Sequence, residues 1–217
     1  MFHLIKKDIL IQKRAFKLSI LLMIFFTITL LSNMGPAGLT IGVLAITYQL
    51  VLGASALEDQ NNSDIILISL PIKRTAIVFS KYVSIYVYAV YAILGFYLID
   101  LMIDLLNIPL DIHFNVQGVM GAIIAVTLFC SLSFPLIFKY GYLKSKMANL
   151  IIFFVFVFGG AGLVNYLSHK WTWSPDAISF FNNNSGTGLF MIVMVPLAFI
   201  LIFSYFLSLN FYQKREF

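Results

Sequence analysis

The residues able to do chemistry in this chain are few and scattered. His3, His113 and His169 each stand alone, whereas metal ligands come in clusters. Cys130 is the single cysteine and lies in an apolar run, so it forms no intrachain disulfide and reads as a small buried hydrophobe. G-x-S-x-G, H-E-x-x-H and paired glutamates within an apolar segment are all missing, and with them the common devices of acyl transfer and metal-assisted hydrolysis. No G-x-x-x-x-G-K-[ST] is present to cradle nucleotide phosphates, and SGTG at 185–188 falls in a loop. Asp100 and Asp104, four residues apart, share a helix face, either as a solvated helix end or as an acidic rim at the mouth of a pathway. The densest polar stretch is EDQNNSDIILISLPIKRTAIVFSKY, Glu58 to Tyr82, with acids at one end, bases at the other and Pro71 between.

The elements that must position these groups follow from composition. Of 217 residues 61% are hydrophobic and 11% charged, against about a quarter charged in an ordinary globular domain. That excess of apolar surface makes the bilayer the natural solvent, and the apolar runs are far longer than the roughly ten-residue alternating segments of a β-barrel. The expected fold is all-α, a polytopic membrane protein in a single transmembrane domain spanning 1–217. In such a protein the formal charge of +5 reports orientation rather than nucleic-acid binding.

Residues 1–17 carry Lys6, Lys7, Lys13, Arg14 and Lys17 opposite Phe2, Ile5, Ile9 and Phe16, the pattern of an amphipathic helix lying in the headgroup plane. Residues 18–57 hold no charge at all. One helix of that length would run about 60 Å, twice the hydrocarbon thickness. NMGPAG at 33–38 supplies the break, giving spans at 18–33 and 37–57. Further spans are expected at 75–99, 116–138, 147–168 and 188–209, with a short tail at 210–217. With the N-terminus inside, thirteen of the fourteen basic residues fall on the inner side and only Lys170 outside, while Asp100, Asp104, Asp111 and Asp176 lie outside. The positive-inside rule then places both termini in the cytoplasm of a cell with this chain in its plasma membrane. Trp171, Trp173, Phe180 and Phe181 of the long outer loop suit the outer interface. Gly118, Ala122 and FGGAG at 158–162 offer small-residue surfaces where helices can approach closely.

The segment 58–74 then faces the cytosol between spans 2 and 3. Asp59 to Asp64 are turn-forming and helix-starting residues, and IILISL places Ile66, Leu67 and Leu70 on one side of a short helix. Pro71 ends that helix, and Lys73 and Arg74 mark the return to the membrane. An interfacial loop resting on headgroups is one interpretation. Glu58, Asp59 and Asp64 would be repelled by anionic lipid, however, and an apolar ridge with an acidic start fits better in a groove on another protein.

The run Asp64, Ile65 to Ile68, Ser69–Leu70–Pro71, Arg74, Ile77–Val78 and Lys81–Tyr82 resembles the second cytoplasmic segment of ABC-2 type permeases, the membrane subunits of ATP-binding-cassette exporters. The resemblance in layout extends over essentially the whole chain. It implies a coupling helix, with Glu58, Asp59, Asp64, Ile66, Leu67, Leu70, Pro71 and Arg74 seated against a separate ATPase subunit. ATP and Mg would be bound by that partner, leaving no cofactor in this chain and no enzymatic activity of its own. A second permease subunit, identical or paralogous, would complete the membrane unit, in contact with lipid and not with nucleic acid. Small permeases of this appearance resemble bacterial exporters of antimicrobial or toxin peptides, including phenol-soluble-modulin exporters. The apolar, aromatic spans suit a hydrophobic or amphipathic cargo, whether peptide toxin, drug or lipid, and no motif marks its path. The alternative is a non-transporting membrane protein, an assembly factor or a toxin-immunity protein. An intramembrane enzyme is held back by the missing catalytic groups.

Overall fold

Gly35 decides where the forty uncharged residues fold back. Its φ of 53° and ψ of −124° belong to glycine, which lacks the Cβ that would clash there, and Pro36 follows at the first helical position, where its missing N–H is no loss. The computed structural model describes residues 2–61, 73–107, 114–159 and 186–214, with residue 2 and residues 186–193 by backbone alone. All regular structure among them is helical. The order is α1 (Phe2–Ile11), α2 (Lys13–Met34), α3 (Pro36–Gln60), α4 (Arg74–Leu105), α5 (Val116–Tyr140), α6 (Tyr142–Gly159) and α7 (Gly186–Lys214). Helices α2 to α7 are each long and apolar enough to cross a bilayer, six in all among the described residues.

Several boundaries differ from those expected. The first span begins at Lys13, so Lys13, Arg14 and Lys17 ride on its first turns, and the N-terminal helix is only α1. α3 runs on through Glu58, Asp59 and Gln60, which are therefore the end of span 2 and not the start of a separate helix. α4 continues to Leu105 and carries Asp100 and Asp104 within it. KYGYLKSK at 139–146 is no loop: Gly141 alone breaks the chain there, at φ 78°, and α6 starts at Tyr142. A charge near a helix end can be solvated by headgroups and water, as at Lys13, or paired inside the protein, as at Glu58, so a helix need not stop where its apolar run stops.

The core runs along α3 and α5. In their most apolar stretches 61% and 56% of residues are buried, against 22% in α2, 11% in α6 and 17% in α7. Leu39, Val43, Ile46 and Leu50 of α3 pack with Val78, Ile85, Ala92 and Phe96 of α4 and with Ala122, Val126 and Phe129 of α5. Tyr48 of α3 stacks on Phe153 of α6 at 4.4 Å and meets the edge of Phe129 at 5.3 Å, which ties the more exposed α6 to the centre. α3 and α5 approach closely at Gly118, where an added Cβ would stand 2.9 Å from the Pro36 carbonyl oxygen and 3.2 Å from the Leu39 side chain. Thr40 Oγ1 closes the same contact by donating to the Gly118 carbonyl at 3.2 Å. The sequence expectation of a small-residue approach at Gly118 and Ala122 is met, with Ala122 fully buried.

Gly118→Ala should therefore destabilise the protein by about 1–3 kcal/mol through overpacking against backbone that cannot yield. Gly53→Ala, whose Cβ meets nothing nearer than 3.9 Å, should be neutral or gain about 0.5–1 kcal/mol from helix propensity. Thermal unfolding in detergent of both variants checks this, and equal effects would disprove the close approach.

Candidate functional site

Both ends of the connection between α3 and α4 lie at the basic end of the bundle, where α1 packs against them. Lys81, two turns into α4, is the centre of that junction. Its Nζ stands 2.6 Å from Glu58 Oε2 on α3 and 3.1 Å from Asp8 Oδ2 on α1. Lys7 completes the group, 2.6 Å from Glu58 Oε1 and 3.5 Å from Asp8 Oδ1. Two ammonium and two carboxylate groups thus balance to zero charge. Asp8 and Glu58 are 2% and 6% exposed, so their pairing is what makes the burial tolerable. Burial pushes the Asp8 carboxyl above the ordinary carboxylate range, Lys81 pulls it back, and the neighbouring Glu58 charge adds to the rise. Ser84 Oγ also donates to Asp8 Oδ2, at 3.5 Å. One turn further on, Gln12 Nε2 donates to Tyr88 Oη at 3.2 Å, and Ser19 Oγ lies 3.1 Å from Tyr91 Oη. The face of α1 and α2 that meets α4 is therefore polar at four-to-seven-residue steps.

Asp59 and Arg74 act as caps for other helices. Asp59 Oδ2 accepts the Leu143 N–H at 3.1 Å, satisfying one of the donors that the first turn of α6 leaves without a partner and placing a negative charge at its positive end. Arg74 Nη1 donates to the Gln213 carbonyl at 2.8 Å and the Tyr212 carbonyl at 3.5 Å, in the last turn of α7, where a cation suits the helix dipole. The residues on either side of the connection thus pin α1, α6 and α7. Of the residues singled out in the sequence, Glu58, Asp59 and Arg74 lie at the two helix ends flanking the connection, each bonded to a different helix. Asp64, Ile66, Leu67, Leu70 and Pro71 lie outside the described residues.

The sequence reasoning missed Asp8, Gln12 and Ser84. A signal existed: Asp8 is the lone acid in a strongly basic segment, and Asp8 and Gln12 are one turn apart. Two ionisable groups thus lie inside spans, Glu58 buried in α3 and Lys81 in α4 with its side chain 12% exposed. Asp100, expected in one interpretation at a solvated helix end, is 8% exposed, while Asp104 is exposed.

A second polar joint sits deeper. Pro135 lies inside α5 and has no N–H for the Ser131 carbonyl four residues back. Ser204 of α7 fills the vacancy, its Oγ donating to that carbonyl at 2.6 Å. With its one proton so used, Ser204 accepts from Tyr82 Oη at 2.7 Å, and Tyr82 in turn accepts from Ser208 Oγ at 2.9 Å. One chain of hydroxyls thereby joins α4, α5 and α7 where no water is available to do so.

The space left at the junction is small. A cavity of ≈ 30 Å³ is lined by Ser55, Glu58, Lys81, Phe138, Tyr142 and Tyr212, room for roughly two water molecules and no organic cargo. The ion pairs and hydrogen bonds of the two joints run between helices and fix them relative to one another.

Fold and site together define a multi-pass helical membrane protein whose polar groups serve coupling between helices. The family model described as "ABC-2 family transporter protein" matches residues 3–213, and the chain belongs to that family. It is accordingly a membrane transport subunit and not itself the ATPase, from a family that normally works with an ABC ATPase subunit. No curated protein and no solved structure matches the chain.

Ser204→Ala should cost about 1–2 kcal/mol, because it strands both the Ser131 carbonyl and the Tyr82 hydroxyl. In a Pro135→Ala background, where the helix supplies its own N–H, the same change should cost less than half as much. Thermal unfolding of the four-member cycle measures the difference, and an unchanged cost would show that Ser204 does not compensate for Pro135.

Proposed function

We propose that the chain is the permease subunit of an ATP-driven exporter, with residues 58–74 forming the docking segment for a separate nucleotide-binding subunit. The observation that carries this is the convergence of caps and ion pairs on the two helix ends flanking that segment. A push delivered between Gln60 and Arg74 meets α1 through Glu58, α6 through Asp59 and α7 through Arg74. In this proposal Ile66, Leu67 and Leu70 form the apolar ridge of the docking helix, Asp64 and Pro71 bound it, and Glu58, Asp59 and Arg74 hold its stems.

The basic end faces the cytosol, as the placement of Lys and Arg requires, and both termini lie there. ATP and Mg are held by the partner subunits, and two membrane subunits, identical or paralogous, form the working unit in a bacterial plasma membrane. The cargo is hydrophobic or amphipathic, a peptide toxin, drug or lipid, because α2, α6 and α7 present Phe25, Phe154, Phe199, Phe203 and Phe206 outward, with exposures from 48% to 70%.

Affinity purification from the native cells in mild detergent tests the proposal. An ATPase subunit should travel with the chain in near one-to-one ratio. Leu67→Glu and Leu70→Glu should reach the membrane at ordinary levels yet lose at least nine-tenths of it. Purification of the chain alone, or with a peptide in place of an ATPase, would overturn docking and favour a sequestering or assembly role.

A further inference from the structure

α1 has ten residues, too few for a helix to hold itself in water, so its position must come from what it touches. Leu4 and Ile9 rest against the core, but the buried centre of its inward face is Asp8, with Gln12 following at the break before α2. If packing were all that mattered, an apolar residue in place of Asp8 would serve as well or better, since a buried ion pair gains little over hydrophobic contacts of the same volume. Ion pairs add direction and partner choice. Here the partners are chosen from two other helices, α3 and α4, and one ammonium joins all three.

The helix that follows gives this joint a consequence. α2 is one of the less buried spans, with Leu18, Leu21, Phe25 and Ile28 turned outward at 52%, 63%, 54% and 53% exposure. Apart from its apolar contacts, α2 is tied to α4 by the Ser19–Tyr91 pair, and its start is continuous with α1 through Gln12. Whatever holds α1 therefore holds the basic end of the first span.

We infer that Lys81, bridging Asp8 and Glu58, is a positioning residue that makes α1 move as one body with the ends of α3 and α4, and so hands any displacement of those ends to the first span. The inference rests on the proposed function only for the source of the displacement. The bridge itself stands on the geometry of Lys7, Asp8, Glu58 and Lys81.

Removing Lys81 alone leaves two buried carboxylates facing Lys7, and Lys81→Met should accumulate in the membrane several-fold less. The double variant Asp8→Asn/Lys81→Met is the informative one, because it keeps the 2.6 Å Lys7–Glu58 pair, the Gln12–Tyr88 hydrogen bond and the neutral balance while removing the ion pair between α1 and α4. Spin labels at Lys6→Cys and Thr75→Cys, both exposed positions, report the α1–α4 separation, and Cys130 is buried away from the reagent. With the bridge intact, one narrow distance is expected in detergent, unchanged when a co-purified ATPase subunit is trapped with ATP and vanadate. In the double variant the distribution should be at least twice as wide and should shift on trapping, at undiminished ATPase content. A distribution as narrow and as fixed as that of the intact bridge would overturn the inference. If no ATPase subunit accompanies the chain, docking fails by itself, and the widths in detergent still decide for or against the bridge.

Discussion

An ammonium group buried among apolar helices is tolerable only where carboxylates meet it, and Lys81 obtains two, from two helices that both precede it in the sequence. That requirement organises the basic end of the molecule. Glu58 must lie in the last turn of α3, so α3 has to continue past its apolar run. Asp8 must face inward, so α1 has to turn a polar side to the protein and its remaining basic residues outward. Lys7 then follows from the charge balance, since two buried carboxylates against a single ammonium would leave one uncompensated. The caps at Asp59 and Arg74 extend the same logic to α6 and α7, using the charges that helix ends themselves present.

The second joint obeys the equivalent rule for neutral groups. A proline inside a span frees a carbonyl, and in the absence of water some other donor must find it. Ser204 does, and the hydroxyls of Tyr82 and Ser208 satisfy each other in sequence. Lys81 and Tyr82, adjacent in the chain, therefore anchor α4 to opposite neighbours: one to α1 and α3 by charge, the other to α5 and α7 by hydroxyl chains. That adjacency gives a structural meaning to the Lys–Tyr pair that carries part of the family resemblance.

How much of this was legible in the sequence depends on the range of the interaction that sets it. The six spans follow from hydropathy, a local property, and the fold-back at Gly35–Pro36 from two residues whose backbone limits are their own. The Gly118 approach was visible because a missing side chain announces close packing. Helices run past the charged residues that seem to end them, as at Lys13, Glu58 and Lys144, because a charge is solvated at the helix end or, like Glu58, meets a partner tens of residues away. Asp8 and Lys81 are 73 residues apart, and nothing local to either names the other. Glu58, Asp59 and Arg74 stood out as polar residues beside a membrane segment; their partners, two caps and an ion bridge, are properties of the assembled bundle.

The two kinds of contact are also unevenly placed, and the division bears on motion. Along the middle of α2 and α6 the contacts are chiefly apolar, and apolar contact is non-directional, so one surface can slide on another at small cost. At the basic end the contacts are ion pairs and caps with fixed donors, acceptors and lengths, which do not slide. α3, α4 and α5 form a centre held by close packing, and the hydroxyl chain fastens α7 to α4 and α5. Peripheral spans pinned at one end and loosely packed along their length are free to swing about the pins, whereas a bundle packed alike throughout would resist displacement everywhere.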